Sequence, residues 1–168
     1  NWIRPLDNDI SSVFDPRKNP HFKQGEGIRW ILFSESGEAI GRVAAFYERN
    51  TKEGEVPVGG MGFFECIEDE KAAFMLFDAC KIWLSERGME GMDGPINFGE
   101  RDSFWGLMVK GWEFEPTYKM PWTKPYYISF FEDYGFKDYF QQYVYVSSIR
   151  GANVTQAIEE KAERIFQN

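Results

Sequence analysis

An amphipathic helix between two short apolar runs constrains the fold more than any other feature of this sequence. In DEKAAFMLFDACKIWLSERG, residues 69–88, apolar side chains recur at helical spacing and share one face: Ala73, Leu76, Phe77, Cys80, Trp83 and Leu84. Asp69 is suited to cap the start of the helix, and Gly88 is suited to end it. The runs VGGMGFFECI and MEGMDGPI on either side have the character of strands. The unit therefore predicts two parallel strands with a right-handed crossover.

The elements around this unit predict one domain with a mixed sheet. IRWILFSESGEAIGRVAAFYERN, residues 28–50, has the pattern of an antiparallel hairpin with a tight turn at Ser36-Gly37, whereas residues 1–27 show turn signals and no periodicity. PYYISFFEDYG predicts a second helix, and FKDYFQQYVYVSSI predicts one or two final strands. The glycines in VGGMGFFECI indicate a close approach by another backbone or a ligand. The expected fold class is α/β in the α+β sense, with a largely antiparallel mixed sheet flanked by helices.

Composition excludes several classes of function. A chain of 168 residues suits one domain, and its net charge of −8 argues against a nucleic-acid backbone or an anionic membrane as the main partner. Cys66 and Cys80 make neither a disulfide framework nor a metal-binding spacing, which indicates a reducing compartment. The sequence contains no signal peptide and no apolar run of membrane length, so we expect the cytoplasm. Nothing in it points to a metal, a flavin or a nicotinamide.

The two ends suggest a piece of a longer protein. The chain begins at Asn1 without Met, and it closes on NVTQAIEEKAERIFQN. This last segment predicts an amphipathic helix within residues 151–168, with its apolar stripe at Val154, Ile158, Ala162, Ile165 and Phe166. Such a stripe should pack against another element. We expect residues 1–150 to form the domain and the helix to lead towards a second one.

A long irregular stretch from Asn97 to Lys124 is the main candidate for a binding surface. It begins within EGMDGPINFGERDSFWG, residues 90–106, and interleaves large rings with polar side chains of fixed direction. Such composition suits a small-ligand pocket, and it equally suits a contact with a protein partner, including a second copy of the chain. The alternative is a loop that only packs over the sheet edge. The candidate substrate or partner residues are Asp93, Asn97, Arg101, Trp105, Tyr118 and Trp122.

The order of elements and several motifs resemble the GNAT superfamily of acyl-CoA-dependent N-acyltransferases. FFEDYGFKDYFQQYVYV is similar to a pattern of that family in which an aromatic pair is followed by Glu, two variable residues, Gly-Phe and then a closing strand. FDPRKNPHF, GRVAAF, GFFECIED and ERGMEGMDGPIN together resemble a bacterial branch in which one GNAT-like half is followed by a second. The resemblance covers roughly residues 1–150 and implies that this chain is the first half.

The resemblance implies two catalytic candidates. Glu65 lies on the strand that often supplies the base for the amine, and its apolar neighbours favour a carboxylate that accepts a proton near neutral pH. Phe131 occupies the position of the family's acidic Tyr, so Tyr127, one helical turn earlier, is the candidate general acid. The alternatives are a Glu65 that pairs with Arg42 or Lys81 or is exposed at the strand end, and a Tyr127 that belongs to the core.

The resemblance also implies acetyl-CoA or another acyl-CoA as co-substrate. The family's phosphate-binding loop corresponds here to CIEDEKAA, so the donor contacts would come from Cys66, Ile67 and Lys71. This segment departs from the family pattern, because it has no glycine and carries three consecutive carboxylates that repel phosphates. Three functions follow as hypotheses: an N-acyltransferase, a GNAT-like domain that binds a partner without catalysis, and a module that binds a small polar ligand without chemistry.

Overall fold

The computed structural model describes residues 4–49, 55–146, 158–161 and 163–164. Within residues 4–49 and 55–146 a four-stranded sheet in the order β1-β2-β3-β4 is accompanied by three α-helices and one 3-10 helix. In chain order the elements are α1 (Asp7–Val13), the 3-10 helix (Pro20–Lys23), β1 (Gly25–Phe33), β2 (Ala39–Glu48), β3 (Val58–Cys66), α2 (Glu70–Ser85), β4 (Gly91–Asp93) and α3 (Tyr127–Tyr134).

The sheet confirms the predicted fold class. β1 pairs antiparallel with β2, and β2 pairs antiparallel with β3. β4 runs parallel to β3, to which α2 connects it. The predicted hairpin is confirmed with its turn, since the Ser34 N–H donates to the Glu38 carbonyl at 2.8 Å and Gly37 has a φ of +84°.

The helix α2 is confirmed with both of its predicted ends. The Asp69 carboxylate accepts hydrogen bonds from the backbone N–H groups of Lys71 and Ala72, at 2.8 and 3.2 Å, which makes Asp69 the N-cap. Gly88 has a φ of +81°, the left-handed conformation expected after a helix end. The apolar face packs on the sheet, and Ala73, Phe77 and Cys80 are completely buried.

Apolar side chains cover both faces of the sheet. Alternate residues of β2 point to opposite faces, so Val43, Ala45 and Tyr47 join the main core with α2 and α3. Ala44 and Phe46 belong to a second, smaller cluster with Phe98. The ring of Phe98 stacks on that of Phe46 at 5.0 Å between centroids. The segment just beyond β4 is therefore anchored to the sheet face opposite α2.

A bulge in β3 sets up the candidate site. Arg42 pairs with Glu65 and Ala44 with Gly62, so two residues of β3 stand opposite one of β2. Phe63, inside the bulge, has a φ of +52°. The pairing between β3 and β4 covers only Val58–Gly60, before the bulge. The last residues of β3 therefore have no described strand on the side of β4.

The close backbone approach predicted from the β3 glycines is confirmed at Gly62. A Cβ on this residue would lie 1.8 Å from the carbonyl oxygen of Ile96. The Ile96 N–H donates to the carbonyl of Met61 at 2.8 Å, so the chain after β4 runs directly against β3. A side chain at Gly62 would push these two segments apart.

The first 27 residues have turns at 14 and 16–18, where the sequence shows turn signals, and they also contain α1 and the 3-10 helix, whose short lengths leave little apolar periodicity in the sequence. The prediction for the segment after α3 is wrong. FKDYFQQYVYVSSI predicts strands, but the structure assigns none to residues 136–146, and residues 147–149 lie outside the described part. Alternating apolar residues make a strand only where another strand pairs with them. Here Tyr139 and Tyr145 are each 86% exposed.

The chain divides into two compact units, Asn1–Lys137 and Asp138–Asn168. In the second unit, residues 158–161 and 163–164 are helical, within the predicted terminal helix. Ile158, on the predicted apolar stripe, is 62% exposed. The other four stripe residues, Val154, Ala162, Ile165 and Phe166, lie outside the described residues. The predicted domain boundary at residue 150 stays a prediction.

Candidate functional site

A cleft of about 810 Å³ opens at the end of the sheet where β1 and β3 finish and β2 begins. Ile31, Gly41 and Phe64 belong to its strand side. The irregular stretch after β4 supplies another wall, which consists of Phe104, Gly106 and Leu107 and of the residues from Pro116 to Lys124. Arg4, Pro5 and Ile10 at the start of the chain and Tyr126, Tyr127 and Phe131 around α3 complete the lining. Most of these side chains are apolar, and a volume of this size suits a small ligand.

Glu65 lies in the cleft and is paired with Arg42. The Arg42 guanidinium donates to the Glu65 carboxylate at 2.7 Å. Both side chains are about half-exposed. The arrangement is the Arg42 pair that the sequence left open as an alternative, and the apolar surroundings of Glu65 along the chain do not bury its carboxylate. Glu65 is therefore accessible to a ligand in the cleft while its orientation is fixed by one cation.

Tyr127 is buried at the cleft floor, where its hydroxyl bonds to the end of β3. The Cys66 N–H donates to this hydroxyl at 3.0 Å, and the hydroxyl donates to the Cys66 carbonyl at 3.2 Å. The neighbouring Tyr126 hydroxyl donates to the same carbonyl at 3.0 Å. The two tyrosines thus satisfy backbone groups that a further strand would otherwise pair. Burial raises the pKa of Tyr127 well above its usual range, so the hydroxyl keeps its proton.

Of the three predicted donor contacts, two lie in the cleft. Cys66 and Ile67 line it, but Lys71 does not. Cys66 is 6% exposed, and burial together with the nearby Asp69 carboxylate raises the pKa of its thiol to about 11. The backbone N–H of Lys71 is already bonded to the Asp69 carboxylate. The first turn of α2 is therefore capped by the chain's own carboxylate, beside Glu68 and Glu70.

The wall from Pro116 to Lys124 brings two predicted substrate residues to the cleft. The Tyr118 hydroxyl donates to the Asp9 carboxylate at 2.6 Å, and this bond raises the pKa of Tyr118. The indole nitrogen of Trp122 is buried without a hydrogen-bond partner among the described residues. Lys124 stands over the Trp122 ring, its ammonium 5.7 Å from the ring centroid. This wall combines flat rings with cations.

Four other predicted substrate residues do not line the cleft. Asp93 is exposed at the end of β4. Asn97 is buried, its amide donates to the Glu100 carbonyl at 3.3 Å, and its side-chain oxygen has no partner among the described residues. Arg101 stands 5.5 Å from the centre of the half-buried Trp105 ring. Of the six predicted substrate or partner residues, Tyr118 and Trp122 therefore line the cleft and the other four do not.

Sequence reasoning missed six further polar residues of the lining: Arg4, Thr117, Lys119, Thr123, Lys124 and Tyr126. Arg4 pairs with Asp7, and the Lys119 ammonium lies 3.8 Å from the Asp9 carboxylate. No pattern along the chain marks these residues, because they come from segments more than a hundred positions apart. Tyr126 could have been found, since it adjoins Tyr127 in the predicted helix.

The chain is similar to two curated bacterial proteins. It is 33% identical over 125 residues to "Bacterial ceramide synthase" of Caulobacter vibrioides, and the aligned region covers 71% of this chain and 31% of that protein. It is 28% identical over 141 residues to "Protein YghO" of Escherichia coli, and the aligned region covers 81% of this chain and 34% of that protein. The chain thus spans about one third of the length of these relatives. No protein-family model matches the sequence.

A solved structure named "Putative acetyl transferase from Pyrococcus furiosus" aligns with a TM-score of 0.45 and 15% identity, over 88% of this chain and 84% of that one.

In the part of the chain that the structure describes, no helix has the length and apolar character needed to cross a membrane. Nor do the described residues bring three or more His, Cys, Asp or Glu side chains together in a group that could hold a metal ion.

Proposed function

We propose that the chain is an N-acyltransferase, or the acyl-binding part of one, which transfers an acyl group from acyl-CoA to an amine. The observation that carries this proposal is the largely apolar cleft, in which the accessible carboxylate of Glu65 is held by Arg42 at the bulged end of β3. An acyl chain needs the apolar lining. An amine that becomes an amide needs a group to take its proton, and Glu65 is placed to do so.

The proposed reaction forms a C–N bond and breaks a C–S bond. The amine nitrogen attacks the thioester carbonyl, Glu65 or a water bound to it takes the nitrogen's proton, and the thiolate leaves with a proton from a tyrosine. Tyr127 is the predicted acid, although its proton is engaged with the Cys66 carbonyl. Tyr126 lies beside it, lines the same cleft and is less buried, which makes it a second candidate for the same step.

One of the two relatives supports an amide product. Ceramide is a fatty amide of a long-chain amine, and 33% identity to a protein named "Bacterial ceramide synthase" fits a cleft of this apolar character. We extend the acyl-group proposal accordingly, from acetyl to longer chains. Because the chain spans about one third of the relatives, the remaining two thirds of such a protein would supply whatever parts of the activity this chain lacks.

The test is a thiol-release assay with acetyl-CoA and palmitoyl-CoA against a panel of amines, including a sphingoid base. We expect release that depends on the amine and on Glu65, so Glu65→Gln should lose at least about a hundredfold in rate. Its circular dichroism spectrum and thermal midpoint should match those of the wild type. Glu35→Gln, a carboxylate substitution in the β1–β2 turn, is the matched control and should keep full activity. Equal turnover by Glu65→Gln would remove Glu65 from the mechanism.

A non-catalytic interaction domain is the second candidate, and exposed apolar side chains favour it. Val109 and Phe114 are 51% and 61% exposed on the stretch after β4. Large apolar side chains of this kind contribute much of the binding energy of protein interfaces. A second copy of the chain is the partner that is simplest to test. Sedimentation should then show a dimer that Phe114→Ser dissociates; a monomer at about 100 μM would exclude this partner.

A further inference from the structure

The place where an anionic group of the ligand binds follows from the charges around the cleft, and this inference rests on the proposed function. The sequence carries a net charge of −8, yet the cleft lining contains four cations and one carboxylate, Glu65. Arg42 is engaged with Glu65. Arg4 is engaged with Asp7. The other two cations, Lys119 and Lys124, form what we call the cationic rim, on the wall before α3.

The start of α2 is unsuited to bind an anion. Its first N–H groups donate to the Asp69 carboxylate, at 2.8 and 3.2 Å, and are no longer available to a ligand. Glu68 and Glu70 flank this cap, and Lys71 is the only cation among these four charged residues. A phosphate bound at the start of α2 would not receive hydrogen bonds from the N–H groups that donate to Asp69, and it would be repelled by three carboxylates.

The cationic rim is better suited to bind an anion. Lys124 has no carboxylate partner among the described residues, and its ammonium is held over the Trp122 ring. Lys119 lies 3.8 Å from Asp9, a separation that leaves its ammonium free to bond to a closer acceptor. Asp9 also accepts the Tyr118 hydroxyl at 2.6 Å, so its charge is shared between two donors.

We propose that the cationic rim binds the phosphate-bearing group of the ligand, while the apolar lining of the cleft holds its chain. The chemistry shared by all candidate ligands is a phosphate joined to an apolar chain. An acyl-CoA has this chemistry, and so does a phospholipid. The ordinary site at a helix N-terminus is replaced here by lysines from an irregular wall.

Calorimetric titration of the chain with two soluble probes tests the inference. Octanoyl-CoA represents the acyl donor, octyl phosphate represents a lipid phosphate, and octanol measures binding of the chain alone. The test variant is the double substitution Lys119→Gln and Lys124→Gln. Lys71→Gln is the matched control, because it removes a lysine at the start of α2. All variants are first checked for an unchanged thermal midpoint.

We expect the double variant to bind octanoyl-CoA at least about tenfold more weakly, whereas Lys71→Gln stays within about twofold of the wild type. Binding by the wild type should also weaken as salt is raised, and the double variant should respond less. Octanol should bind equally to all three proteins, since it has no charge.

The other outcomes separate this inference from the proposed function. If octanoyl-CoA binding is weakened by Lys71→Gln and not by the double variant, the proposal that the cationic rim binds the phosphate is wrong, but acyl-CoA remains the proposed donor. If octyl phosphate binds and the double variant weakens this binding, while octanoyl-CoA does not bind, the cationic rim is supported as a phosphate site and acyl-CoA is rejected as the donor. Binding that neither variant alters overturns the rim. No binding of either probe at millimolar concentration overturns both.

Discussion

Arg42 and Glu65 are directly opposite each other across β2 and β3, and their side chains meet at 2.7 Å between Nη2 and Oε1. They are the last regular partners before the β3 bulge, so sheet register brings together two residues 23 positions apart. Both side chains are about half-exposed. An ion pair of such exposure contributes little to stability, which leaves orientation of the carboxylate as its main effect.

The first prediction concerns this orientation. Arg42→Gln should lower the free energy of unfolding by less than about 1 kcal/mol, because water screens the pair. Acyl transfer should nevertheless fall, because the Glu65 carboxylate loses its fixed direction, and Arg42→Lys should restore part of the rate. Urea denaturation and the thiol-release assay measure the two quantities. A loss of stability that matches the loss of rate would indicate that Arg42 is structural.

The second prediction concerns the two tyrosine hydroxyls at Cys66. Tyr127→Phe leaves the buried Cys66 N–H without its partner, which should cost about 1–3 kcal/mol in unfolding free energy. Tyr126→Phe should cost about 1 kcal/mol or less, since the Cys66 carbonyl keeps its bond from Tyr127. Urea denaturation of both variants provides the comparison. Equal losses of unfolding free energy would mean that the Tyr127 hydroxyl has no special structural role. In the thiol-release assay, the substitution that abolishes activity identifies the general acid.

Regular elements could be predicted from this sequence because their signals are local. The face of α2, its Asp69 cap and its Gly88 end are all encoded within twenty residues, and the hairpin turn at Ser36-Gly37 is encoded within two. The failed strand after residue 136 shows the limit. Alternation indicates that one side of a segment is apolar, but strand formation requires a partner whose position lies elsewhere in the chain.

The candidate site could be predicted only in part, for the same physical reason. Glu65 and Tyr127, which line the cleft, lie on a strand and a helix whose local patterns could be predicted. Lys119 and Lys124 were missed because an irregular wall shows no periodicity that marks the side facing the cleft. Arg101 and Trp105 were candidates by composition, yet the structure places them outside the cleft lining. The stretch is held by the packing of Phe98 on Phe46 and by the contact between Tyr118 and Asp9, which are distant in the sequence.

The third prediction concerns the close approach at Gly62. Gly62→Ala should destabilise the fold by about 1–3 kcal/mol or more, because the new methyl group would meet the Ile96 carbonyl and the backbone must shift. Gly27→Ala in β1 is the matched control, since its methyl group would lie 3.5 Å from its nearest neighbours. Thermal unfolding of the two variants measures the difference. Equal midpoints would contradict the close packing of the chain after β4 against β3.

The last prediction concerns the cysteines and pH. Burial raises the pKa of the Cys66 thiol to about 11 and that of Cys80 to about 12. Only a thiolate reacts with iodoacetamide, so both should resist alkylation at pH 8 until urea unfolds the chain. Because the folded-state pKa of Cys66 is raised, its contribution to stability is complete below pH 9, the ordinary value, and is lost as pH rises towards 11.

Mass spectrometry after timed alkylation measures the first effect. Urea midpoints between pH 8 and pH 10.5 measure the second, and Cys66→Ala is the control. This variant should lose less stability over that range than the wild type, since one of the two buried thiols is gone. Alkylation of Cys66 in the folded protein within minutes at pH 8 would contradict its burial beside Tyr127. It would also mean that the cleft floor opens to reagents, so that the end of β3 is accessible to a ligand.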